Sequence, residues 1–549
     1  PISTSSPAMP AICLPPLPEM LAFPNVDHTA SRAGLEVEIG LYDAPEQQYQ
    51  GAFNLNLAGE NTFILGSSQY GKTNLLQCII RMLASCYTPE DVNIYILDFG
   101  SMFLKNYENL PHIGGVVTAS EDEKYRNLFK MLNEQIVERR DKLIAAGVSS
   151  FHAYREAGFM DFPYIVIMID NFTALKESYL EDEDLLLPIC REGSAVGISV
   201  VVTNAVTNGF GYKYFSTISH HISFHCNEEA EIHNLFGFCT EKPGKNPGSC
   251  LIEKEKKIYN AQIYLAFSGE KEIDRTNAIR QFINEMNIQY KDRKACLIPA
   301  VPENLSISDT YRLKGAPSKK DAMVIGVGYE NIEPIALHFR NQFMLAMIGD
   351  NQESKIEFVK AVFSDIRQNF FERELSLYIV DGISKEFKDY RDLPFVKAYS
   401  SQADSLMEMV SNVHEILVQR NELVENEGVT VLEQEPMLMV IVNNKKAIEM
   451  FGNSRNDMQL YDDIADNYRN LKVLFIFTAV ENMSSIFNAG DLMKRIRDEQ
   501  KAIIFDALKN VRLYDIPLSD TRSKDYPLGK RDAFYMDKDV IERVKLYTL

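Results

Sequence analysis

Residues 66–73 read GSSQYGKT and match the phosphate-loop pattern G-x-x-x-x-G-K-[ST] in full. The loop follows the apolar run TFIL at 62–65 and precedes a helix-like run that begins NLLQCIIRML at 74. A strand, this loop and a helix are the setting in which the pattern binds phosphate, because N–H groups at the start of the helix point at the phosphate oxygens. The stretch therefore predicts a strand–loop–helix unit of an α/β domain with a nucleotide site.

The predicted contacts to ATP run through the whole loop and one residue beyond it: Gly66, Ser67, Ser68, Gln69, Tyr70, Gly71, Lys72, Thr73 and Asn74. The two glycines let the backbone curl around the phosphates. Lys72 supplies positive charge between the β- and γ-phosphates, and Thr73 offers a hydroxyl to Mg²⁺. The cofactors implied by the loop are thus ATP and Mg²⁺.

A second apolar run, YIVIMID at 164–170, ends in an acid and predicts the strand whose carboxylate lies beside the metal. Asp170 joins Thr73 as a predicted Mg²⁺ ligand and joins Lys72 as a predicted catalytic residue. An active ATPase of this type commonly carries Glu next, but here the residue is Asn171. An amide cannot accept a proton, and a general base contributes roughly 10²–10⁴-fold to rate. The sequence predicts ATP binding with weak or absent hydrolysis.

Other strand ends carry weaker candidates. Thr203 and Asn204 end the run VGISVVVTN and either sense the γ-phosphate or simply terminate a strand. Arg191 precedes that run and is a candidate for a contact across a subunit interface. Asp98, which ends NIYILD, either organises the site or caps a loop.

The loop and its surroundings recur 283 positions later, where Gly66, Lys72, Asp98 and Pro111 have the counterparts Gly349, Lys355, Asp381 and Pro394. In both copies, short apolar runs alternate with helical periodicity, a pattern typical of βαβ units and open α/β sheets. The prediction is a duplicated α/β domain with mostly parallel sheets. The predicted parts are a proline-rich linker at 1–18, a first domain at 19–295 and a second at 296–549.

The second loop, GDNQESKI at 349–356, has lost most of the phosphate-binding chemistry. It keeps Gly349 and Lys355, but Ser354 replaces the second glycine and Ile356 replaces the hydroxyl that would meet the metal. The position of the metal acid is Asn443. The second domain is therefore predicted to be free of nucleotide and to serve as a surface.

Composition narrows the class of partner. The 549 residues are 46% hydrophobic and 24% charged, and 57 Lys+Arg against 77 Asp+Glu give a net charge of −20. Because binding to duplex nucleic acid rests largely on basic contacts to phosphate, this balance argues against nucleic acid as the main ligand. The sequence shows no signal peptide and no apolar run long enough for a membrane span. A start without Met in a proline-rich stretch suggests a piece of a longer protein.

Several motifs together resemble the motor domains of the FtsK/SpoIIIE P-loop family: YILDFG at 95–100, ERRDKL at 138–143, YIVIMIDNF at 164–172, CREGSAVGISVVVTNAV at 190–206 and PGKNPGSCLI at 243–252. Two more stretches are similar to the secretion branch of that family: LEVEIGLYDAPEQQYQGAFNLNL at 35–57 and LPHIGGVVT at 110–118. That branch comprises the membrane-anchored type VII secretion ATPases called EssC and EccC. The resemblance covers nearly the whole chain, as the second and third ATPase modules.

The resemblance implies two tandem RecA-like P-loop domains on the cytoplasmic side of a membrane. It implies that the first domain binds ATP, although Asn171 departs from the Asp-Glu pair of motors and nucleotide binding does not carry over to the second domain. In the actinobacterial branch the last module docks helical WXG100-type substrates, which implies a docking role here. Other type VII components and a homo-hexamer of the full-length protein are the further implied partners, while the fragment alone is expected to be monomeric.

Two alternatives stay open. A DNA translocase motor shares the core fold, but the acidic charge, Asn171 and the lack of a basic segment at the end of the chain argue against it. A non-enzymatic assembly scaffold would keep the phosphate loop for structure only. A salt-dependent DNA gel shift would favour the translocase, and an absence of thermal stabilisation by ATP would favour the scaffold.

Overall fold

The computed structural model describes residues 14–26, 34–179, 184–302, 304–313, 315–319, 321–330, 332–340, 342–370, 374–484, 490–523 and 527–547. Most of the predicted linker at 1–18 lies outside these residues. The chain divides into two compact units, residues 1–299 and 300–549.

The first unit is built on a mixed sheet whose described strands follow the order β3-β2-β11-β10-β9-β4-β8-β7-β5-β6, with β1 added in parallel to the end of β11. The strands are β1 (Leu21–Ala22), β2 (Glu36–Ala44), β3 (Tyr49–Asn56), β4 (Thr62–Leu65), β5 (Val92–Asp98), β6 (Ile113–Thr118), β7 (Tyr164–Asp170), β8 (Ile198–Asn204), β9 (His220–Phe224), β10 (Ser249–Lys254) and β11 (Lys257–Leu265). Strands β9, β4, β8, β7, β5 and β6 pair in parallel. The strands from β3 to β9 pair antiparallel.

Helices and turns connect these strands, and both faces of the parallel half are covered. The helices are α1 (Lys72–Cys86), α2 (Asp122–Ala146), α3 (Phe151–Glu156), α4 (Phe172–Ser178), α5 (Leu186–Glu192), α6 (Tyr212–Phe215), α7 (Glu229–Phe236) and α8 (Glu272–Tyr290). Every residue of β5, β7 and β8 is buried. Side chains alternate between the faces of the sheet, so Val166 and Met168 of β7 enter one core cluster while Ile165, Ile167 and Ile169 enter the other. Burial on both faces explains why these strands read as continuous apolar runs.

The second unit repeats the order of the ten strands β2–β11, and its described residues include no counterpart of β1. Its order β13-β12-β21-β20-β19-β14-β18-β17-β15-β16 matches that of the first unit. The strands are β12 (Ala322–Gly328), β13 (Pro334–His338), β14 (Met344–Ile348), β15 (Leu375–Val380), β16 (Val396–Ser400), β17 (Met437–Val442), β18 (Val473–Phe477), β19 (Lys501–Ile504), β20 (Asp532–Asp537) and β21 (Val540–Leu546). The helices are α9 (Ile307–Thr310), α10 (Gln352–Asn369), α11 (Ser405–Glu427), α12 (Lys445–Asn453), α13 (Arg455–Asp463), α14 (Asp491–Glu499) and α15 (Leu518–Ser523). The predicted fold class, two tandem α/β domains with mostly parallel sheets, is confirmed.

Parallel pairing brings the carboxyl ends of the central strands to one edge of the first sheet. Leu65 of β4 pairs with Asn204 of β8, and Asp98 of β5 pairs with Asp170 of β7. The phosphate loop and the polar strand ends therefore meet at this edge. In the described part of the chain, no helix combines the length and apolarity needed to cross a bilayer.

Candidate nucleotide-binding site

The phosphate loop depends on glycine at its last turn. Helix α1 begins at Lys72, and Gly71 before it has a φ of 114°, which residues with a side chain rarely adopt. A Cβ at Gly71 would also lie 3.2 Å from the backbone nitrogen of Gly248, and the Gly248 N–H donates to the carbonyl of Tyr70 at 3.0 Å. The turn sets the N-terminal N–H groups of α1 beside the loop, an arrangement that binds phosphate.

Lys72 folds back over the loop. Its ammonium group donates to the carbonyls of Gly66 at 2.6 Å and Ser67 at 2.9 Å. Burial lowers the pKa of Lys72, and the nearby Asp170 opposes that shift. A phosphate at the loop would compete with the two carbonyls for this group, as the predicted role of Lys72 requires.

The two predicted Mg²⁺ ligands are adjacent. The hydroxyl of Thr73 donates to Asp170 Oδ2 at 3.2 Å, and the hydroxyl of Thr203 donates to Asp170 Oδ1 at 2.7 Å. Thr203 also accepts the backbone N–H of Asn171 at 3.0 Å. A carboxylate and a hydroxyl beside a phosphate loop are the oxygen donors that Mg²⁺ prefers, so the residues present fit the metal.

Asn171 is held in structural contacts. It has a φ of 72°, and its side-chain oxygen accepts the N–H of Ala174, which caps α4. Its amide nitrogen donates to the carbonyl of Phe99 at 3.5 Å. The residue at the position of the general base thus contributes a cap and a bridge between strand ends, and it contributes no carboxylate.

The two sensor candidates differ in their surroundings. Thr203 donates directly to Asp170, the predicted Mg²⁺ ligand, as described above. Asn204 is occupied elsewhere, because its side-chain oxygen accepts the N–H and hydroxyl of Thr173 at 3.3 and 3.0 Å and its nitrogen donates to the carbonyl of Val206 at 2.8 Å. Its backbone carbonyl accepts the N–H of Gly66 at 3.1 Å. Asn204 therefore supports the loop through its backbone.

The two remaining candidates, Asn74 and Arg191, lie on different helices. The side chain of Asn74 joins α1 to the end of β11 by donating to the carbonyl of Tyr264 at 2.8 Å and accepting the N–H of Ala266 at 3.0 Å. Arg191 is exposed on α5, which precedes the amino end of β8. The length of β8, about 20 Å at roughly 3.3 Å per residue, separates Arg191 from the loop of its own unit.

Cavities flank the loop on both sides. On the Thr73 side, a cavity of about 500 Å³ includes walls that the motifs did not predict: Glu19, Met20, Leu21, Ser101, Phe103, Gln262, Phe267 and Arg275. On the other side, a cavity of about 660 Å³ is lined by Ser67, Ser68, Gln69 and Tyr70 together with residues that follow β8 and β9. The missed walls come from segments far apart in sequence. The one signal for Ser101 and Phe103 was their position just after Asp98, at the same sheet edge as the loop.

The loop of the second unit is folded differently. Helix α10 begins at Gln352, the counterpart of Gln69, so it starts three residues earlier than α1. Asn351 caps it by accepting the N–H of Ser354 at 3.1 Å. Residues 352–354, the counterparts of the last three residues before α1 in the first unit, are helical here.

The remaining residues of the second site also differ from their counterparts in the first unit. Lys355 is only 1% exposed, its Nζ has no hydrogen-bond partner among the described residues, and burial lowers its pKa to about 8. Ile356 packs against the core. Asn443 accepts the hydroxyl of Thr478 at 2.7 Å and donates to Asp381 at 3.2 Å. These contacts satisfy both ends of the Asn443 amide and leave the strand end without a metal carboxylate.

The sequence is similar to proteins of bacterial secretion systems. Residues 43–207 match the family model described as the FtsK/SpoIIIE family. The chain is 24% identical over 439 residues to the ESX secretion system protein EccC of Geobacillus thermodenitrificans, covering 79% of this chain and 29% of the relative. It is 26% identical over 391 residues to the type VII secretion system protein EssC of Staphylococcus aureus, covering 69% and 26%. The chain thus spans less than a third of the length of these relatives.

Solved structures show the same fold. EssC (ATPases 2 and 3) from Geobacillus thermodenitrificans superposes with a TM-score of 0.80 at 21% identity, covering 97% of this chain and all of that one. Thermomonospora curvata EccC (ATPases 2 and 3), in complex with a signal sequence peptide, superposes with a TM-score of 0.69 at 18% identity, covering 98% and 97%. The resemblance to the EccC and EssC ATPases that the motifs indicated is confirmed.

Proposed function

We propose that this chain, a homologue of the type VII secretion ATPases EccC and EssC with an FtsK/SpoIIIE domain, forms the second and third ATPase modules of a secretion motor. In this proposal the modules lie on the cytoplasmic side of the membrane, in a larger protein that assembles as a hexamer with other type VII components. The first unit binds Mg·ATP and hydrolyses it weakly. The second unit holds no nucleotide and docks exported proteins of the WXG100 type.

The contrast between the two loops carries the proposal. In the first unit the metal carboxylate Asp170 lies within hydrogen-bond distance of Thr73 at the start of α1. In the second unit the corresponding backbone is an extra helical turn capped by Asn351, and Asn443 stands at the position of the acid. The same topology therefore supports a phosphate site in one unit and not in the other.

Different residues of the first unit would bind the phosphates and the metal. The loop N–H groups and Lys72 would hold the phosphates, and Thr73 with Asp170 would hold Mg²⁺, which neutralises the charge of the phosphate oxygens. Thr203 orients Asp170. No carboxylate stands at the next position, where Asn171 caps α4, so proton removal from an attacking water lacks a base from this strand.

A small cavity in the second unit supports the docking role. It has a volume of about 120 Å³ and is lined by Ser354, Glu357, Phe358, Ala361, Phe505, Arg531, Leu546 and Tyr547. Three of these residues are 283 positions after Gly71, Asn74 and Ile263, which line the 500 Å³ cavity of the first unit. The chain's own segment Glu19–Leu21 lies at that cavity, and β1 there pairs with β11.

Because a segment of the chain lies at the corresponding cavity of the first unit, we infer that the second cavity accepts an extended peptide. Its walls are mostly apolar, with Arg531 and Glu357 as the charged groups, so an apolar side chain of a signal segment fits its chemistry. The solved complex of the two corresponding EccC modules with a signal sequence peptide supports peptide binding by this pair of modules.

Calorimetric titration of Mg·ATP tests the nucleotide half of the proposal. The wild-type chain should bind one equivalent, Lys72→Ala should lose that site, and Lys355→Ala should retain it. Two sites in the wild type, or loss in Lys355→Ala, would overturn the assignment of the units. A fast steady-state turnover that disappears in Lys72→Ala would overturn the prediction of weak hydrolysis.

Peptide binding tests the docking half. A fluorescent peptide that carries the signal sequence of a WXG100-type protein should bind the wild-type chain, and Ser354→Trp should weaken binding by filling the rim of the cavity. Ser384→Trp, at an exposed position after β15, is the matched control and should bind as the wild type does. Equal affinity in both variants would place docking elsewhere.

A further inference from the structure

The loop that follows β5 is held by one buried carboxylate. Asp98 is fully buried, and its two oxygens accept the backbone N–H groups of Met102 at 3.1 Å and Leu104 at 2.9 Å. These bonds fold residues 99–104 back on the end of the strand. We call residues 99–104 the Asp98 loop. Because hydrogen bonds to a charged acceptor are stronger than neutral ones, this anchor determines the path of the loop.

The Asp98 loop lies against the metal carboxylate. The N–H of Phe99 donates to the backbone carbonyl of Asp170 at 3.1 Å. Gly100 approaches so closely that a Cβ there would lie 2.6 Å from Asp170 Oδ2, the oxygen that accepts the hydroxyl of Thr73. The loop therefore limits where that oxygen can move.

The same loop walls the nucleotide cavity. Ser101 and Phe103 line the 500 Å³ cavity together with Gly71 and Thr73. Asp98 thus holds a loop that contacts Asp170 through Gly100 and lines the 500 Å³ cavity through Ser101 and Phe103.

The second unit provides an internal comparison. Asp381, the counterpart of Asp98, likewise accepts the N–H groups of Gly382 and Phe387, both at 2.8 Å. It also accepts the amide of Asn443 at 3.2 Å and the hydroxyl of Tyr399 at 2.9 Å. The loop anchor is therefore present in both units, but in the first unit it faces a second acid.

That difference has an electrostatic consequence. In the first unit, burial and the charge of Asp170 raise the pKa of Asp98. Two carboxylates in one buried site repel each other unless a proton or a cation lies near them. In the second unit the amide of Asn443 is uncharged and donates to Asp381, so no proton or cation is required between the two groups.

We propose that Asp98 is a positioning residue of the nucleotide–metal site, which sets Asp170 toward Thr73 by holding the Asp98 loop against it. The proposal rests on the proposed binding of Mg·ATP by the first unit. It predicts that Asp98 acts on the metal-dependent part of nucleotide binding. The phosphate cradle itself is made by the loop amides and Lys72, outside the Asp98 loop.

The test compares nucleotide affinity with and without the metal. Asp98→Asn in the whole two-unit chain keeps the size of the side chain but leaves one loop N–H without an acceptor. Because partners behind a metal ligand typically change metal affinity by about 10–100-fold, the affinity for ATP with Mg²⁺ should fall about tenfold. The affinity for ATP in EDTA, where the Asp98 loop acts only as a wall of the cavity, should fall by a clearly smaller factor. Asp381→Asn is the matched control and should leave both affinities as in the wild type.

A second variant keeps the test decisive if Asp98→Asn folds poorly. Gly100→Ala leaves the buried charge in place and pushes on Asp170 from the same side, so it should show the same selective loss with Mg²⁺. A purely structural role for Asp98 would lower both affinities equally, and an unchanged ratio of the two affinities in both variants would overturn the proposal. If the wild type itself binds no ATP, the proposed function has failed and this inference fails with it.

Discussion

The hydroxyl of Thr203 donates a hydrogen bond of 2.7 Å to Asp170 Oδ1, and in the second unit Thr478 donates one of the same length to Asn443 Oδ1. The donor is kept where the acceptor changes from a carboxylate to an amide. The threonine therefore orients whatever group ends the preceding strand, and the charge of that group decides whether the strand end can serve a metal.

Removing this hydroxyl should weaken the proposed Mg²⁺ site selectively. In Thr203→Val, Asp170 loses its donor and the N–H of Asn171 loses its acceptor. Because hydrogen bonds to charged groups contribute about 1.5–3 kcal/mol, we expect the affinity for Mg·ATP to fall roughly tenfold or more by calorimetry. Thr203→Ser should retain most of the affinity, and Thr478→Val should bind nucleotide normally. Normal binding by Thr203→Val would show that Asp170 needs no orientation.

Asn171 should affect the stability of the first unit in two ways, because its side chain caps α4 and its backbone has a positive φ. Ala at a helix cap costs about 1 kcal/mol and Gly only a few tenths, and Ala also pays for a left-handed φ that Gly adopts freely. Asn171→Ala should therefore be less stable than Asn171→Gly by about 1 kcal/mol or more, measured as urea midpoints of the first unit.

The second unit provides the control for this comparison. Asn444 caps α12 with an ordinary φ of −138°, so Asn444→Gly should gain no backbone advantage over Asn444→Ala. An advantage of Gly over Ala as large at 444 as at 171 would contradict the argument from φ.

Local motifs predicted which elements carry the candidate residues of the first unit, because these residues lie within or directly after single strands and one loop. The phosphate loop lies between the strand and helix that its pattern requires, and the acid of YIVIMID lies beside it. The other residues that line the 500 Å³ cavity include Met20, Phe103, Phe267 and Arg275. Long-range packing brings them together, so their spacing along the chain does not predict this arrangement.

The extra helical turn in the second unit was missed for a different reason. The replacements at Ser354 and Ile356 indicate only a change in loop chemistry. Asn351 is also a favoured N-cap that precedes helix-forming residues, and that signal outweighed the loop pattern. The contact between the Asp98 loop and Asp170 could not be predicted from the sequence either. It depends on the register in which β5 pairs with β7, and the two apolar runs that end in Asp do not determine that register.

Stability of the second unit should depend on the protonation of Asp365. This carboxyl is buried, accepts the amide of Asn369 at 2.6 Å and the hydroxyl of Tyr311 at 3.1 Å, and burial raises its pKa from 3.8 to about 6. A raised carboxyl pKa means that the folded state binds more protons, so stability is lost as pH rises from about 4 through 6.

Asp365→Asn should remove this loss. At pH 7.5 we expect the variant to be more stable than the wild type by roughly 1–3 kcal/mol, because the new amide can donate to the hydroxyl of Tyr311. The difference in melting temperature should shrink as the pH is lowered toward 5. Glu415→Gln, at an exposed position of α11, should show no such trend. A constant difference across this pH range would contradict the assignment.

Restoring the residues of the phosphate loop in the second unit should not restore nucleotide binding. Ser354→Gly, Ile356→Thr and Asn443→Asp together return the second glycine, the hydroxyl and the acid. They leave Asn351 capping α10 at Gln352, so the backbone that must cradle phosphate stays helical. Measured by calorimetry in a Lys72→Ala background, where the first unit is silent, this triple variant should bind no Mg·ATP.

Adding Asn351→Ala to the triple variant removes the cap. Since losing an N-cap costs about 1 kcal/mol, the first turn of α10 becomes easier to unwind, and any recovered affinity should appear only in this fourth variant. The wild-type chain with Lys72 intact is the positive control for the titration. If the triple variant already binds Mg·ATP as tightly as the first unit does, side-chain chemistry alone silenced the second site and the early start of α10 is its consequence.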